Sequence, residues 1–272
     1  MPRPPKKKPS VALTARSADR HALYQASVQE VEVERRFLDR VFARLHGRPP
    51  VTLREDFCGT ALLCAEWVKH RGRRAVGLDL DRAVLAYGRA HNLLPLGARG
   101  ASVKLLRRDV RSAVRGPFDV AVGLNFSYFV FKTRPDLLRY FRSVRRSLGR
   151  DGVFFVDAYG GWEAQKQMRE RRRVRGFTYV WDQEEVDAID RSVLNHIHFE
   201  FPDGTKIRRA FTYEWRLWTL PEIREVLHEA GFRSTTVYWE DADANGHGTS
   251  TFRPREHAAE EAAWVAYVVA AV

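Results

Sequence analysis

The chain has 272 residues, of which 44% are hydrophobic, enough for one large domain with a substantial core. Lys and Arg number 46 against 34 acids, a net charge of +12 that suits acidic partners, nucleic acid among them, or simply spreads Arg over solvated helix faces. The two cysteines, Cys58 and Cys64, leave no second pair for a zinc site and no disulfide framework, which fits a reducing cytoplasm, and no run approaches the ~18 apolar residues of a membrane-spanning helix.

The N-terminal segment Met1-Pro2-Arg3-Pro4-Pro5-Lys6-Lys7-Lys8-Pro9 lacks the apolar stretch of a secretory signal, and residues 1–20 read as a basic disordered tail. Val33, Phe37, Val41 and Leu45 recur every four residues and predict an amphipathic helix over about 28–46, ended by Gly47 and Pro49. A strand follows at Val51 to Arg54, then a tight turn and a helix whose buried face is Leu62, Leu63 and Trp67. Ala75 to Leu80 is the second strand, Arg82 to about His91 a helix, Val103 to Leu106 a short strand, and Asp119 to Leu124 the fourth. Leu137, Leu138, Phe141, Val144 and Leu148 mark the next helix, and Val153 to Asp157 the next strand. Strands alternating with helices predict an α/β, doubly wound, mostly parallel sheet with its ligand at the carboxyl ends of the strands.

After Asp157 the pattern changes. A basic, helix-like stretch carries Arg169, Arg171, Arg172, Arg173 and Arg175. Two alternating runs, Ile197/Phe199/Phe201 and Phe211/Tyr213/Trp215/Leu217, flank the turn Pro202-Asp203-Gly204-Thr205 and predict an antiparallel hairpin. Thr219 and Glu222 form a capping box that opens a helix ending at Gly231, and strands near Thr235 to Trp239 and Trp264 to Val269 finish the chain. Residues 160–218 read as a substrate-side insertion in one domain spanning 21–272.

The motifs that carry chemistry lie at the strand ends. Glu55-Asp56-Phe57-Cys58-Gly59-Thr60-Ala61 is a strand-to-helix turn, and Asp79 stands twenty residues after Gly59, the spacing at which an acid meets ribose hydroxyls. An acid in the first turn repels a pyrophosphate and attracts a cation. Asp109 ends the third strand and Asn125 the fourth. At these residues the chain resembles the class I S-adenosylmethionine (SAM)-dependent methyltransferases, whose first motif runs Asp/Glu-x-Gly-x-Gly-x-Gly. Gly59 is the central glycine, and Phe57 and Ala61 replace the outer two. The resemblance covers about 24–157 and implies a seven-stranded Rossmann-like sheet with an inserted hairpin cover and SAM as cofactor. It implies cofactor binding by Glu55, Asp56, Gly59, Thr60, Asp79, Leu80, Asp109, Val110 and Asn125.

Methyl transfer from a sulfonium is an in-line displacement with a good leaving group, so alignment and exclusion of water matter most. Asn125-Phe126-Ser127-Tyr128 follows the fourth strand, where the resembling family seats its acceptor. Asn125 and Tyr128 are therefore the candidate catalytic residues, although Tyr128 is equally readable as a packed strand-end residue. His196 and His198 on one strand face lack further metal ligands, Trp215 and Trp218 read as an aromatic wall or as core, and Tyr24 and Gln29 are candidates to close over SAM. Two functions stay open: a methyltransferase acting on a small-molecule acceptor, or one acting on nucleic acid or protein through the basic tail and the Arg-rich insertion.

Overall fold

The computed structural model describes residues 13–243 and 248–272. Its centre is β1 (Thr52–Asp56), flanked in parallel register by β2 (Arg74–Asp79) and β4 (Phe118–Gly123). The sheet extends through β3 (Val103–Arg107) on one side and β5 (Leu148–Gly160) on the other. Beyond β5 lie β12 (Trp264–Ala271), β10 (Ser234–Ala242) and β11 (Gly248–Pro254), in the order β11-β10-β12-β5-β4-β1-β2-β3. The order reverses between β1 and β4, and such a switch point opens a crevice at the carboxyl ends.

Helices α2 (Val31–His46) and α3 (Leu62–Trp67) cover one face, placing Phe37, Leu38, Phe42 and Trp67 on Val120, Val122 and Phe155. On the other face α5 (Arg134–Ser147) and α6 (Leu220–Glu229) set Leu137, Phe141, Val144 and Leu227 against Ala121, Phe154 and Val268. The predicted capping box is present: Thr219 accepts from the Glu222 amide while the Glu222 carboxylate takes the Thr219 amide. The predicted helix after β2 is α4 (Arg82–Gly88), prolonged by a π-turn over Arg89–Leu93.

The structure differs from expectation in three places. The sheet has eight strands, because β11 adds itself to β10; its run Thr249-Ser250-Thr251-Phe252-Arg253 carries no apolar alternation to announce it. The cover is a four-stranded antiparallel sheet rather than a hairpin, in the order β6 (Met168–Val174), β7 (Phe177–Val186), β8 (Ser192–Glu200), β9 (Lys206–Arg216). The Arg-rich segment is therefore a strand. Arg169 faces Asp182 across the register and Arg171 reaches Glu200, a cross-strand charge pattern that suits a solvated sheet face.

The tail read over 1–20 falls partly outside the described residues, which begin at 13. From there the chain is packed: the Ala15 amide donates to Thr205 Oγ1 at 2.9 Å, and Asp19 caps α1 (Arg20–Val28) through the His21 and Ala22 amides. Helix α1 buries Leu23 against Phe177, Ile197 and Phe199 of the cover, while its Gln25 bonds Thr60 in the loop after β1, so it ties the cover to the main sheet.

Candidate functional site

The loop between β1 and α3 keeps a glycine-rich backbone without the glycines. Phe57, Gly59 and Ala61 have φ of 55°, 50° and 55°. The two non-glycine positions each carry a strain of about 1–3 kcal/mol, which persists only where the surroundings over-determine the conformation. Here they do. The Cys58 amide donates to Leu78 O at 2.8 Å and the Ala61 amide to Cys58 O at 2.7 Å. Gln25 Nε2 of α1 reaches Thr60 Oγ1 at 2.6 Å, and Asn92 Nδ2 holds Thr60 O at 2.8 Å. The Phe57 ring packs edge-on to Tyr140 at 5.6 Å, and Gly88 lets the backbone of Thr60 lie where a Cβ would stand.

Asp79 ends β2 beside this loop. Its Oδ2 accepts from the Gly59 amide at 2.9 Å and its Oδ1 from the Asp81 amide at 2.9 Å. Leu80 next to it is 62% exposed, an apolar surface with no protein cover. Asp109 lies close by in chain direction, its carboxylate gripped by Arg111 through Nε and Nη2, which holds it below the usual carboxylate range. Val110 is not presented to the cleft. Its side chain is buried in the core, and its carbonyl accepts from Arg54 Nη2 and Ser143 Oγ.

Strand alternation separates the two acids of β1. Glu55 points to the α3 side, where its Oε2 accepts from the Cys64 amide at 2.8 Å; burial pushes its carboxyl up to about 7. Asp56 points to the α5 side and does not reach the loop. It pairs with Arg54 Nε at 2.9 Å, both side chains fully buried, and Arg54 is satisfied further by Ser147 Oγ and the carbonyls of Val110 and Ser143. Asp56 is thus a fold residue, correcting its expected cofactor role.

At the end of β4, Asn125 and Phe126 take φ of 57° and 55°, a turn fixed by Asp157 of β5. Its two oxygens accept the amides of Asn125 at 2.7 Å and Phe126 at 2.9 Å. Burial nevertheless raises the Asp157 carboxyl to about 7, those amide bonds only moderating the rise. Tyr128 does not line the cleft. It is fully buried among Phe129 and Phe141, and its hydroxyl donates to Asp157 O at 2.9 Å. Burial first, then the charges of Asp157 and Glu55, raise the carboxyl of Glu34 in α2 to about 8.

The inner face of the cover completes the cleft. Tyr179, Trp181, Asn195, Tyr213 and Trp215 share it by register, and the Tyr213 and Trp215 rings stack at 4.5 Å. Tyr213 and Tyr24 of α1 pack against the same cluster, while Trp215 meets Phe126 edge-on at 6.3 Å. Trp218 is core, its Nε1 on Phe131 O and Arg216 over its ring. Gln25, not Gln29, touches the loop. His196 and His198 lie on the other face of the cover sheet, His196 buried, paired with Glu184 at 2.6 Å and Asp182 at 3.0 Å. Sequence reading missed Gln25, Glu34, Asn92, Asp157 as a turn anchor, and Asn195. A polar residue at a strand end signals Asp157, and the others carry no local pattern. A cavity of about 960 Å³ lies elsewhere, between α6, β10 and residues 255–260, and its lining includes none of Glu55, Gly59, Asp79, Asp109 or Asn125.

No protein-family model matches the chain. A curated relative, the candidate methyltransferase YqeM of Bacillus subtilis (strain 168), is 23% identical over 182 residues, 65% of this chain and 71% of that one. Among solved structures, an S-adenosylmethionine-dependent methyltransferase from Clostridium acetobutylicum ATCC 824 superimposes with a TM-score of 0.68 at 16% identity, over 93% of this chain and 97% of that one. The SAM-bound amino pentose methyltransferase CalS10 of Micromonospora echinaspora gives 0.62 at 16% identity, over 92% and 95%. The fold is therefore that of the class I SAM-dependent methyltransferases, and the likeness extends well beyond the stretch that carries the motifs. S-adenosylmethionine is the methyl donor of that class of enzymes.

Proposed function

We propose that the protein transfers a methyl group from SAM to a small-molecule acceptor. The observation that carries this reading is the cover. It meets the carboxyl ends of β4 and β5 with its aromatic inner face, Trp215 lying edge-on to Phe126 and beside Tyr159. A dry, aromatic-lined site suits a compact acceptor. CalS10, of the same fold, acts on an amino pentose.

The residues present fit the donor. Asp79 is placed to accept from ribose hydroxyls, and its bond to Gly59 leaves further lone pairs free for them. Leu80 offers its exposed side chain to the adenine face, with Asp109 toward the adenine amino group. Loop residues 57–61, Glu55 and Asn125 surround the methionine end. SAM supplies an electrophilic methyl group. The chain's own work is to align the acceptor lone pair with it and to keep water out. Two arginines on the outer face of the cover, Arg169 and Arg171, are paired with Asp182 and Glu200 on the side turned away from the cleft.

The test is release of S-adenosylhomocysteine with a panel of compact acceptors, set beside uptake of labelled methyl by RNA, DNA and protein. Turnover on the compact acceptors that survives high salt and deletion of residues 1–9 is expected. Turnover only on nucleic acid, falling steeply with salt, overturns the reading.

A further inference from the structure

The outer face of the cover departs from regular pairing at one point. Ile197 of β8 pairs with Phe211 and Phe199 with Ile207, so residues 208–210 of β9 stand against His198 alone. Arg209 takes φ of 48° in this bulge, and its amide donates to His198 Nδ1 at 2.8 Å. A left-handed residue with a side chain costs about 1–3 kcal/mol, and bulges re-aim side chains. Consecutive residues of a regular strand point to opposite faces. Here Arg208 and Arg209 share one. Arg209 reaches Glu184 at 3.1 Å, and Arg208 lines a depression beside Val180.

That depression measures about 70 Å³. Val180 lies at its centre by register, with Arg171 opposite on β6 and His198 opposite on β8. Four cations line it: Arg169, Arg171, Lys206 and Arg208. Three of them are held by acids. Arg169 pairs with Asp182, and Arg171 and Lys206 pair with Glu200 at 2.8 and 2.7 Å. The side chains of Asp182 and Glu200 are 14% and 20% exposed, those of Arg169 and Arg171 54% and 55%, so the carboxylates form a lower layer and the guanidiniums open to solvent. Each of these arginines uses only Nη2 on its acid and keeps further N–H donors free. Among the described residues Arg208 has no ion-pair partner. His198 accepts at Nδ1, which keeps its ring neutral and turns Nε2–H to Asp182 at 3.0 Å. The local sum is four cations against two carboxylates. A water takes about 30 Å³, so the space suits one tetrahedral oxyanion.

We propose that the outer face of the cover is a phosphate-binding site, with one phosphate group seated on Val180 among Arg169, Arg171, Lys206 and Arg208. Charge-assisted bonds from a guanidinium to a phosphate are strong and geometrically specific, and an ammonium adds a point charge. Asp182 and Glu200 hold three of the cations in place before the ligand arrives, and the bulge supplies the fourth. The site faces away from the donor cleft, so it docks a ligand and does not present the methyl acceptor. The reading of methyl transfer above does not depend on it. Arg173 continues the row along β6, two residues past Arg171, which lets the face meet a chain of phosphates as well as a single ester. The shared chemistry is the phosphate group, carried by a phosphorylated small molecule or by the backbone of a nucleic acid.

Inorganic tripolyphosphate and an RNA duplex test this on the full chain at low ionic strength, the first by calorimetry and the second by fluorescence anisotropy. Saturable binding of tripolyphosphate is expected, with Kd at or below about 1 mM. Arg208→Glu should weaken it about tenfold or more, and Arg208→Lys should keep most of the affinity. Arg233→Glu, the same change of charge at an exposed position just before β10, should change it by less than about twofold. Circular dichroism, Tm and turnover of a compact acceptor should be the same in Arg208→Glu as in the unaltered chain. Tripolyphosphate bound without RNA assigns the site to a phosphorylated small molecule. RNA bound with the same pattern of variants, and a salt dependence that falls by about one phosphate contact in Arg208→Glu, assigns it to a nucleic-acid backbone. No saturable binding of either probe, or equal losses in Arg208→Glu and Arg233→Glu, overturns the site, since the attraction would then belong to the net charge of the whole chain.

Discussion

Asp79 accepts the amide of Gly59 through Oδ2 at 2.9 Å, so the acid at the end of β2 and the one glycine of the β1–α3 loop are tied to each other. The same carboxylate thus shapes the loop and is left to meet the ribose. A charge-assisted bond of this kind contributes about 1.5–3 kcal/mol. Asp79→Ala should weaken SAM binding roughly 10- to 100-fold, while Asp79→Asn, which keeps an acceptor for Gly59, should lose less. Calorimetric titration checks this, and an unchanged Kd for the alanine variant would remove Asp79 from the site.

Ala61 has φ of 55° and is fully buried, a left-handed residue whose one methyl group is all the side chain it sets into the core. Glycine adopts this conformation without strain, against a larger loss of freedom on folding. Ala61→Gly should therefore stabilise the chain by up to about 1 kcal/mol, a rise of about 2–4 °C in Tm. Phe57→Gly should do the reverse, because the ring it removes packs against Phe131 and Tyr140. A drop in Tm for Ala61→Gly would mean that the loop is unstrained there.

The Arg54–Asp56 pair lies fully inside the protein, and breaking such a pair strands the remaining charge. Asp56→Leu should cost about 3–5 kcal/mol by urea unfolding. Replacing both residues, Arg54→Met with Asp56→Leu, should cost less than the single change. SAM affinity of whatever remains folded should move little. A large affinity loss with full stability would return Asp56 to the cofactor site.

The main sheet was legible because its signals are local. Strand runs such as 119–124 and the spacing from Gly59 to Asp79 depend on neighbours in sequence. The cover was half legible: 197–201 and 211–217 alternate plainly, while 168–174 alternates between two kinds of polar contact and gives no apolar period. Side-chain direction was the main failure at the site. Asp56 and Val110 turn into the core, and Tyr128 is buried on the Asp157 carbonyl, since each alternates or turns away from the cleft by one residue. The loop survived the loss of two glycines because Gln25, Asn92 and Asp79 brace it, three residues distant in sequence that no motif connects.

The raised carboxyls of Glu34, Glu55 and Asp157, at about 8, about 7 and about 7, give a pH dependence of definite sign. Burial favours their protonated forms in the folded chain, whereas in the unfolded chain they titrate near pH 4. The stability this contributes is whole below about pH 4 and is lost as pH rises through about 7–8. A bound cation reverses the preference, favouring the carboxylates and expelling protons. SAM should therefore bind more tightly at pH 8.5 than at pH 6, and its binding should release protons. Titrations at pH 7 in buffers of different ionisation enthalpy count those protons. Glu34→Gln should lower the count and flatten the pH dependence, and should raise the stability of the ligand-free protein at pH 8.5. Proton uptake on binding, or an affinity that falls from pH 6 to 8.5, would show that these carboxylates do not face the cationic end of SAM.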